Sequence, residues 1–458
     1  MALASRYGGS READGIGPCA LSIRHSAVGS VSNAVARPAV LTDFRLWFGS
    51  AMGFFLAASV FGLLMRYMFV GEVTGVRYRN ILHAHSHVAL MGWAYQLLSG
   101  ALVARLVPDS ERTRSYHLFF WLNILATLGM AVSFPIQGYG AASISFSVLH
   151  VVASYGFAFL FLLDMRGKKD HEHLLARLAV IWMLVASIGL WAVGPLGAML
   201  GRLHPVYFMA IQFFLHFQLN GWLTFGVLAL LVQHVKLHEP EFRISQSAMT
   251  LLVISLFLTY FLSVTWSTPV PALFYVNSLG VILQAVAVYL MARPLWRSSV
   301  RHIDLRDWRH WVLMAGVACF AGKVLIHLAV ALPVVAVMSY TIKNYVIGFI
   351  HLVVIGSVTL SVGGILLQQG LIPTGGRSSV GWLMLACTFG LTEALLFGQG
   401  TLLWAEAGFI PSYHLLLFLV SALFPVAIAL ILSGFLNRTS QTSANINQRN
   451  NNPIQSLT

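Results

Sequence analysis

Twelve apolar runs, each long enough to cross a hydrocarbon core, divide this chain from end to end, and they restrict its fold more than any other feature. A helix rises 1.5 Å per residue, so about 20 apolar residues span a bilayer. Runs of that length lie near 45–70, 81–104, 116–137, 140–165, 174–200, 204–234, 247–266, 271–292, 311–338, 343–367, 380–404 and 410–435. Only 9% of the residues are charged and 58% are hydrophobic, whereas about a quarter of an ordinary soluble domain is charged. Within lipid every backbone polar group must be paired inside its own segment, so runs of this length are helices. The expected fold class is therefore all-α, a polytopic membrane protein with twelve transmembrane helices over residues 45–435. Residues 1–44 read as a polar, disordered cytoplasmic leader without the apolar core of a cleavable signal. Residues 436–458, rich in Asn, Gln and Ser, read as a disordered cytoplasmic tail.

The basic residues give this bundle a direction. Of 28 Lys and Arg, Arg66 and Lys323 fall inside runs. If both termini are cytoplasmic, 22 of the remaining 26 are cytoplasmic, and only Arg77, Arg79, Arg202 and Lys343 fall in outer loops. That is the positive-inside pattern. It predicts a multi-pass protein of the bacterial inner membrane, and it explains the net charge of +13 by contact with anionic lipid, with no role for nucleic acid. Cys19, Cys319 and Cys387 have no pairing or CxxC spacing. Neither a disulfide framework nor a zinc or iron–sulfur cluster is indicated, and no CxxCH occurs to attach a c-type haem.

One spacing recurs every four helices. His87 precedes Gly92 and Trp93 on the second helix, His216 precedes Gly221 and Trp222 on the sixth, and His351 precedes Gly356 on the tenth. Imidazole is the commonest metal and haem ligand among side chains. A Gly about a turn and a half further on leaves room for a flat macrocycle or for close helix packing. The repeat points to three pseudo-repeated four-helix units. Nine histidines, His83, His85, His87, His150, His204, His216, His327, His351 and His414, fall in the outer half of the bundle. Polar side chains at one membrane depth, on helices of alternating direction, point to a shared cofactor layer. In HAHSHVALMGW, His83 and His87 share a helix face and His85 points the other way. Two charges lie near mid-membrane, Lys323 on the ninth helix, four residues before His327, and Glu393 on the eleventh. They read either as a proton relay or as a buried ion pair that orients helices. Arg66, near the end of the first helix, can snorkel or meet an acidic cofactor edge.

With its twelve helices, fourfold spacing and HAHSHVALMGW and HFQLNGW segments, the chain resembles the catalytic large subunit of the haem–copper oxidase and nitric oxide reductase superfamily, the cbb3 type above all. The likeness in layout covers residues 45–435, and the motif likeness is short. It implies a b-type haem held between a second-helix histidine (His83, His85 or His87, with His87 preferred for its Gly spacing) and His351, with Gly92, Gly221 and Gly356 lining the cofactor. It implies copper on His216. It also implies quinol or a cytochrome as electron donor, a small gas (O2 or NO) as substrate, other membrane subunits, and Tyr260 as a redox tyrosine. The chain departs from the family in three places. The seventh helix carries no histidine, the tenth carries His351 alone, and the HPVY segment at 204–207 sits at the outer edge. One haem alone, or one haem with a metal held by a set drawn from His150, His216 and His327, is expected in place of a standard binuclear centre, with Lys323, Glu393 and Tyr260 serving the chemistry. This variant resembles the NnrS-like haem and copper proteins linked to nitric oxide stress. The competing readings are a non-catalytic sensor of the same fold and a proton-coupled transporter, though transporters more often carry paired inverted halves.

Overall fold

The computed structural model describes residues 39–107, 111–299 and 302–436. Cys19, the leader through residue 38 and the tail from residue 437 lie outside the described residues. Twelve helices are long and apolar enough to cross a membrane: α1 Phe44–Tyr67, α2 Tyr78–Leu106, α3 Thr113–Gln137, α4 Ala141–Asp164, α5 His171–Met199, α6 Pro205–Lys236, α7 Gln246–Thr265, α8 Pro271–Ser299, α9 Trp308–Ala329, α10 Lys343–Gln368, α11 Arg377–Trp404 and α12 Tyr413–Leu436. No strand occurs among the described residues. The protein is an all-α polytopic membrane protein.

Two boundaries differ from the sequence reading. The helix that carries α1 begins at Ala39, ahead of the expected residue 45. The run 311–338 is broken, because α9 ends at Ala329 and Pro333 opens a separate short helix, Pro333–Thr341. Proline lacks an N–H and weakens a helix interior, but it suits a first turn, where that N–H would be unpaired anyway.

The packing repeats every four helices. The most apolar stretch of α2, of α6 and of α10 is 89% buried, against 22–50% for the other nine spans. Each of these inner helices is held by the helix before it, α1 on α2, α5 on α6 and α9 on α10, while α3 with α4 and α7 with α8 form flanking hairpins. The three histidine–glycine repeats thus stand on the three inner helices.

Immediately after each of those histidines the helix widens to a π-helical turn: Val88–Ala94 after His87, Phe217–Leu223 after His216 and Leu352–Leu360 after His351. A π turn displaces the ordinary backbone ladder, and buried carbonyls then need other donors. Hydroxyls five residues on supply them. Thr224 Oγ1 donates to the Leu219 carbonyl at 2.8 Å, Ser357 Oγ to Leu352 at 3.1 Å and Thr359 Oγ1 to Val354 at 2.9 Å. In α2 the donor comes from another helix: His150 Nε2 lies 2.8 Å from the Met91 carbonyl.

The glycine five residues after each histidine is a packing position. A Cβ on Gly92 would stand 2.6 Å from Thr127 Cγ2, one on Gly221 2.6 Å from Trp182 Cβ, and one on Gly356 2.7 Å from Cys319 Cβ. Each glycine therefore admits a neighbouring helix, from α3, α5 and α9 respectively, and these contacts leave no room there for a flat macrocycle.

The bundle is tight at one end and open at the other. From Met91 to Ala104, His216 to Leu230 and Leu352 to Leu367 every inner-helix residue is buried. The inner helices make their principal mutual contacts along these stretches. In the segments before the histidines most residues are half-buried or exposed, and the helices pack there on their outer neighbours instead. We call this the histidine end.

Candidate cofactor site

The expected histidine layer resolves into three separate groups. The first joins α1, α2 and α10. His85 and His351 face one another with ring centroids 6.4 Å apart and planes at 75°. His85 Nδ1 lies 2.8 Å from the Ala58 carbonyl of α1; a carbonyl only accepts, so Nδ1 carries the proton and the Nε2 lone pair is left bare. His351 makes no hydrogen bond to any described residue. Arg66 stands close enough to act electrostatically on both rings. Gly62 allows the His85 ring to lie against α1, where a Cβ would come within 3.0 Å of its Cε1. The structure thus brings His85 to His351, whereas the spacing argument preferred His87.

His87 belongs to a second group, on the opposite side of α2. Its Nδ1 lies 2.8 Å from the His83 carbonyl, and the Tyr139 hydroxyl stands 3.4 Å from its Nε2. Phe134 packs on the ring at 4.2 Å. His83 is on the same face, 6.4 Å from His87 between centroids, as the four-residue spacing predicts. Tyr139 lies half-exposed in the loop between α3 and α4. His150 approaches from α4, but its protonated Nε2 caps the π turn at Met91, and Ser154 Oγ stands 3.4 Å from its Nδ1. It is a structural histidine.

The third group lies among α6 to α10. His216 Nε2 is 2.8 Å from the Leu256 carbonyl, and Asn220 Nδ2 is 3.3 Å from its Nδ1, so both nitrogens are engaged. Tyr260 sets its ring against His216, 5.6 Å between centroids, and donates to the Met209 carbonyl at 3.1 Å. His327 Nδ1 is 2.7 Å from Gln284 Oε1, and its ring stacks on Phe349. Lys323, 1% exposed, donates to Thr224 Oγ1 on α6. The electrostatic influence of Lys323 reaches both His216 and His327.

Lys323 and Glu393 form no ion pair. Glu393 reaches from α11 toward Gly348 of α10, where a Cβ would stand 3.3 Å from its Oε2, and both of its carboxylate oxygens are buried without a hydrogen-bond partner. Such a carboxylate would cost several kcal/mol as an unaccompanied charge.

Among the described residues, His150, His216 and His327 do not converge on one point. The one group of three His, Cys, Asp or Glu side chains whose ligand atoms gather together is Asp170, Glu172 and His173, at the opposite end of the bundle. Lys236 sits in that group, 3.2 Å from Asp170 and 2.8 Å from Glu172, and supplies its positive charge. The sequence reading passed over Gln284, Thr224 and Tyr139. An uncharged polar residue inside an apolar run, such as Gln284, is the signal that would have found the first two; Tyr139 lies in a loop motif, PIQGYG, noted only for its length.

No family model matches the chain, and no curated protein matches it.

Proposed function

We propose that this chain is a membrane haem protein in which His85 and His351 hold one b-type haem iron from opposite sides and which passes electrons across the histidine end of the bundle. The observation that carries this reading is the 6.4 Å separation of the two rings. Two imidazoles opposed on one metal, each bonded at about 2 Å, place their centroids about 6 Å apart. The donor chemistry fits as well. His85 gives its Nδ1 proton to Ala58, the outer-shell bond that fixes the tautomer of a ligating histidine and raises its basicity. Arg66 supplies a cation for an acidic cofactor edge, and the splayed segments before His87 and His351 leave side chains half-buried where a prosthetic group needs space.

A b-type haem held by His85 and His351 would supply one-electron transfer. The residues of this chain would hold it in register and exclude water from below through the tight inner half. Lys323, Tyr260 and Glu393 are the candidates for holding or moving protons. The electron donor that suits such a site is quinol or a cytochrome carried by a separate protein. The likeness in helix layout to the haem–copper oxidase superfamily, and the 22 to 4 distribution of basic residues, support this reading and its placement in a bacterial inner membrane with cytoplasmic termini. Copper does not fit the expected donor set, because His150 and His216 each commit a protonated Nε2 to a backbone carbonyl. A redox carrier or haem sensor is accordingly favoured over a terminal oxidase with a binuclear centre.

The test is a reduced-minus-oxidised optical spectrum of the purified chain with iron analysis. One haem with a bis-imidazole spectrum is expected, lost in His85→Ala and in His351→Ala and kept in His87→Ala. Absence of a Soret band, or its survival in both of the first two variants, overturns the reading.

A further inference from the structure

The second histidine group carries a site of its own. His83 Nε2 is buried and has no hydrogen-bond partner, an arrangement that native proteins avoid unless the atom serves a ligand or water. The other imidazole is prepared in a complementary way. His87 gives its Nδ1 proton to the His83 carbonyl, so its Nε2 lone pair points away from the helix toward the Tyr139 hydroxyl. Tyr139 also packs on the His83 ring at 4.5 Å between centroids. Two imidazole nitrogens and one phenol oxygen thus face a common region at the histidine end of α2.

Tyr139 is held in place by its loop. Asn80, one turn before His83, donates to the Pro135 and Ile136 carbonyls at 3.2 and 3.4 Å and ties the end of α3 to α2. Gly138 takes φ 63°, where a side chain would be strained and a Cβ would meet Asn80 Oδ1 at 2.7 Å. Ser143 then pins the loop from the other side through the Gly138 carbonyl at 2.6 Å and the Gly140 N–H at 2.9 Å. The loop that presents Tyr139 is fixed on both flanks.

We propose that His83, His87 and Tyr139 form a binding site for one divalent transition-metal ion, copper in preference to zinc, separate from the His85 and His351 pair on the opposite face of the same helix. Two imidazoles on one tetrahedral ion stand about 5 Å apart between centroids, so binding draws the two rings closer than their present 6.4 Å. Two nitrogen donors and an oxygen donor, with positions left open, suit copper(II) first and zinc second in the usual affinity order. The ion takes the lone pairs of both Nε2 atoms, and the Tyr139 oxygen binds as phenolate by releasing one proton to solvent. The half-exposed loop gives the ion access from the aqueous side.

The experiment is titration of the full-length, metal-stripped chain, carrying a tag without histidine, with CuCl2 and then ZnCl2. Bound metal is counted by elemental analysis, and copper(II) is read by electron paramagnetic resonance. One equivalent is expected, with two nitrogen donors in the copper spectrum and one proton released per ion bound where both imidazoles are neutral. His83→Ala and His83→Gln are each expected to lose it. Tyr139→Phe is expected to weaken binding about tenfold and to remove the phenolate charge-transfer band. His204→Ala, an exposed histidine at the same end, is expected to bind as the unaltered chain does. Unchanged stoichiometry in the His83 variants, or equal loss in His204→Ala, overturns the proposal. The haem spectrum is independent of this result.

Discussion

His85 and His87 are two positions apart, about 200° around a helix, and that rotation separates a residue facing α10 from one facing α3. The sequence showed the cluster and its alternation. It could not show which face met α10, and the recurring glycine pointed to His87, which faces α3, because Gly92 serves a helix contact. Lys323 and Glu393 were equally visible as charges and equally silent about partners, which only the positions of α6 and α9 determine. The hydrogen bond of Lys323 to Thr224, with no carboxylate among its described partners, leads to a prediction. Replacing a buried charge by an apolar side chain of similar volume is commonly neutral or stabilising by about 1–4 kcal/mol. Lys323→Met should therefore keep or raise the midpoint of thermal unfolding in detergent, while slowing any proton-linked turnover. A marked fall in that midpoint would show that the lysine is a structural anchor.

At the scale of elements, the spans were legible because length and apolar composition fix them with little help from context. The broken ninth run was legible in principle from Pro333. The π-helical turns were not, since His–x4–Gly spells no backbone geometry until a neighbouring helix presses against the glycine. Their packing role is testable. Gly92→Ala, Gly221→Ala and Gly356→Ala each place a Cβ 2.6–2.7 Å from a neighbouring side chain, and overpacking of that kind costs about 1–3 kcal/mol. Gly390→Ala, with nothing within 4 Å of its Cβ, should be neutral or slightly stabilising. Thermal unfolding of the four variants separates the two classes, and equal behaviour would deny the glycines their role.

For the whole molecule, twelve spans return the chain to the side on which it began, so reporters fused at the two ends should respond alike. Their compartment checks the reading of the basic residues. The threefold repeat was partly visible in the histidine spacing, while the separation of its histidines into three groups depends on splayed helices that no local pattern encodes. The opposite end of the bundle is fastened by ion pairs. The hydrogen bond from Lys236 holds the Asp170 carboxyl below the usual aspartate range, and Arg309 does the same to Asp307. Carboxyls depressed on folding stabilise above their unfolded value, about pH 4, and that contribution is lost as pH falls through the folded values. Thermal stability should therefore decline on acidification below about pH 4, with a shallower decline in Asp170→Asn; identical acid profiles would assign the decline to other groups.

The three π-helical turns lie at one level, where close packing gives way to splayed segments. Each acts as a collar between a close-packed base and a more open crown. Changes of ligand, cofactor or partner at the crown can thus accumulate in such a chain while the foundation that folds it stays the same.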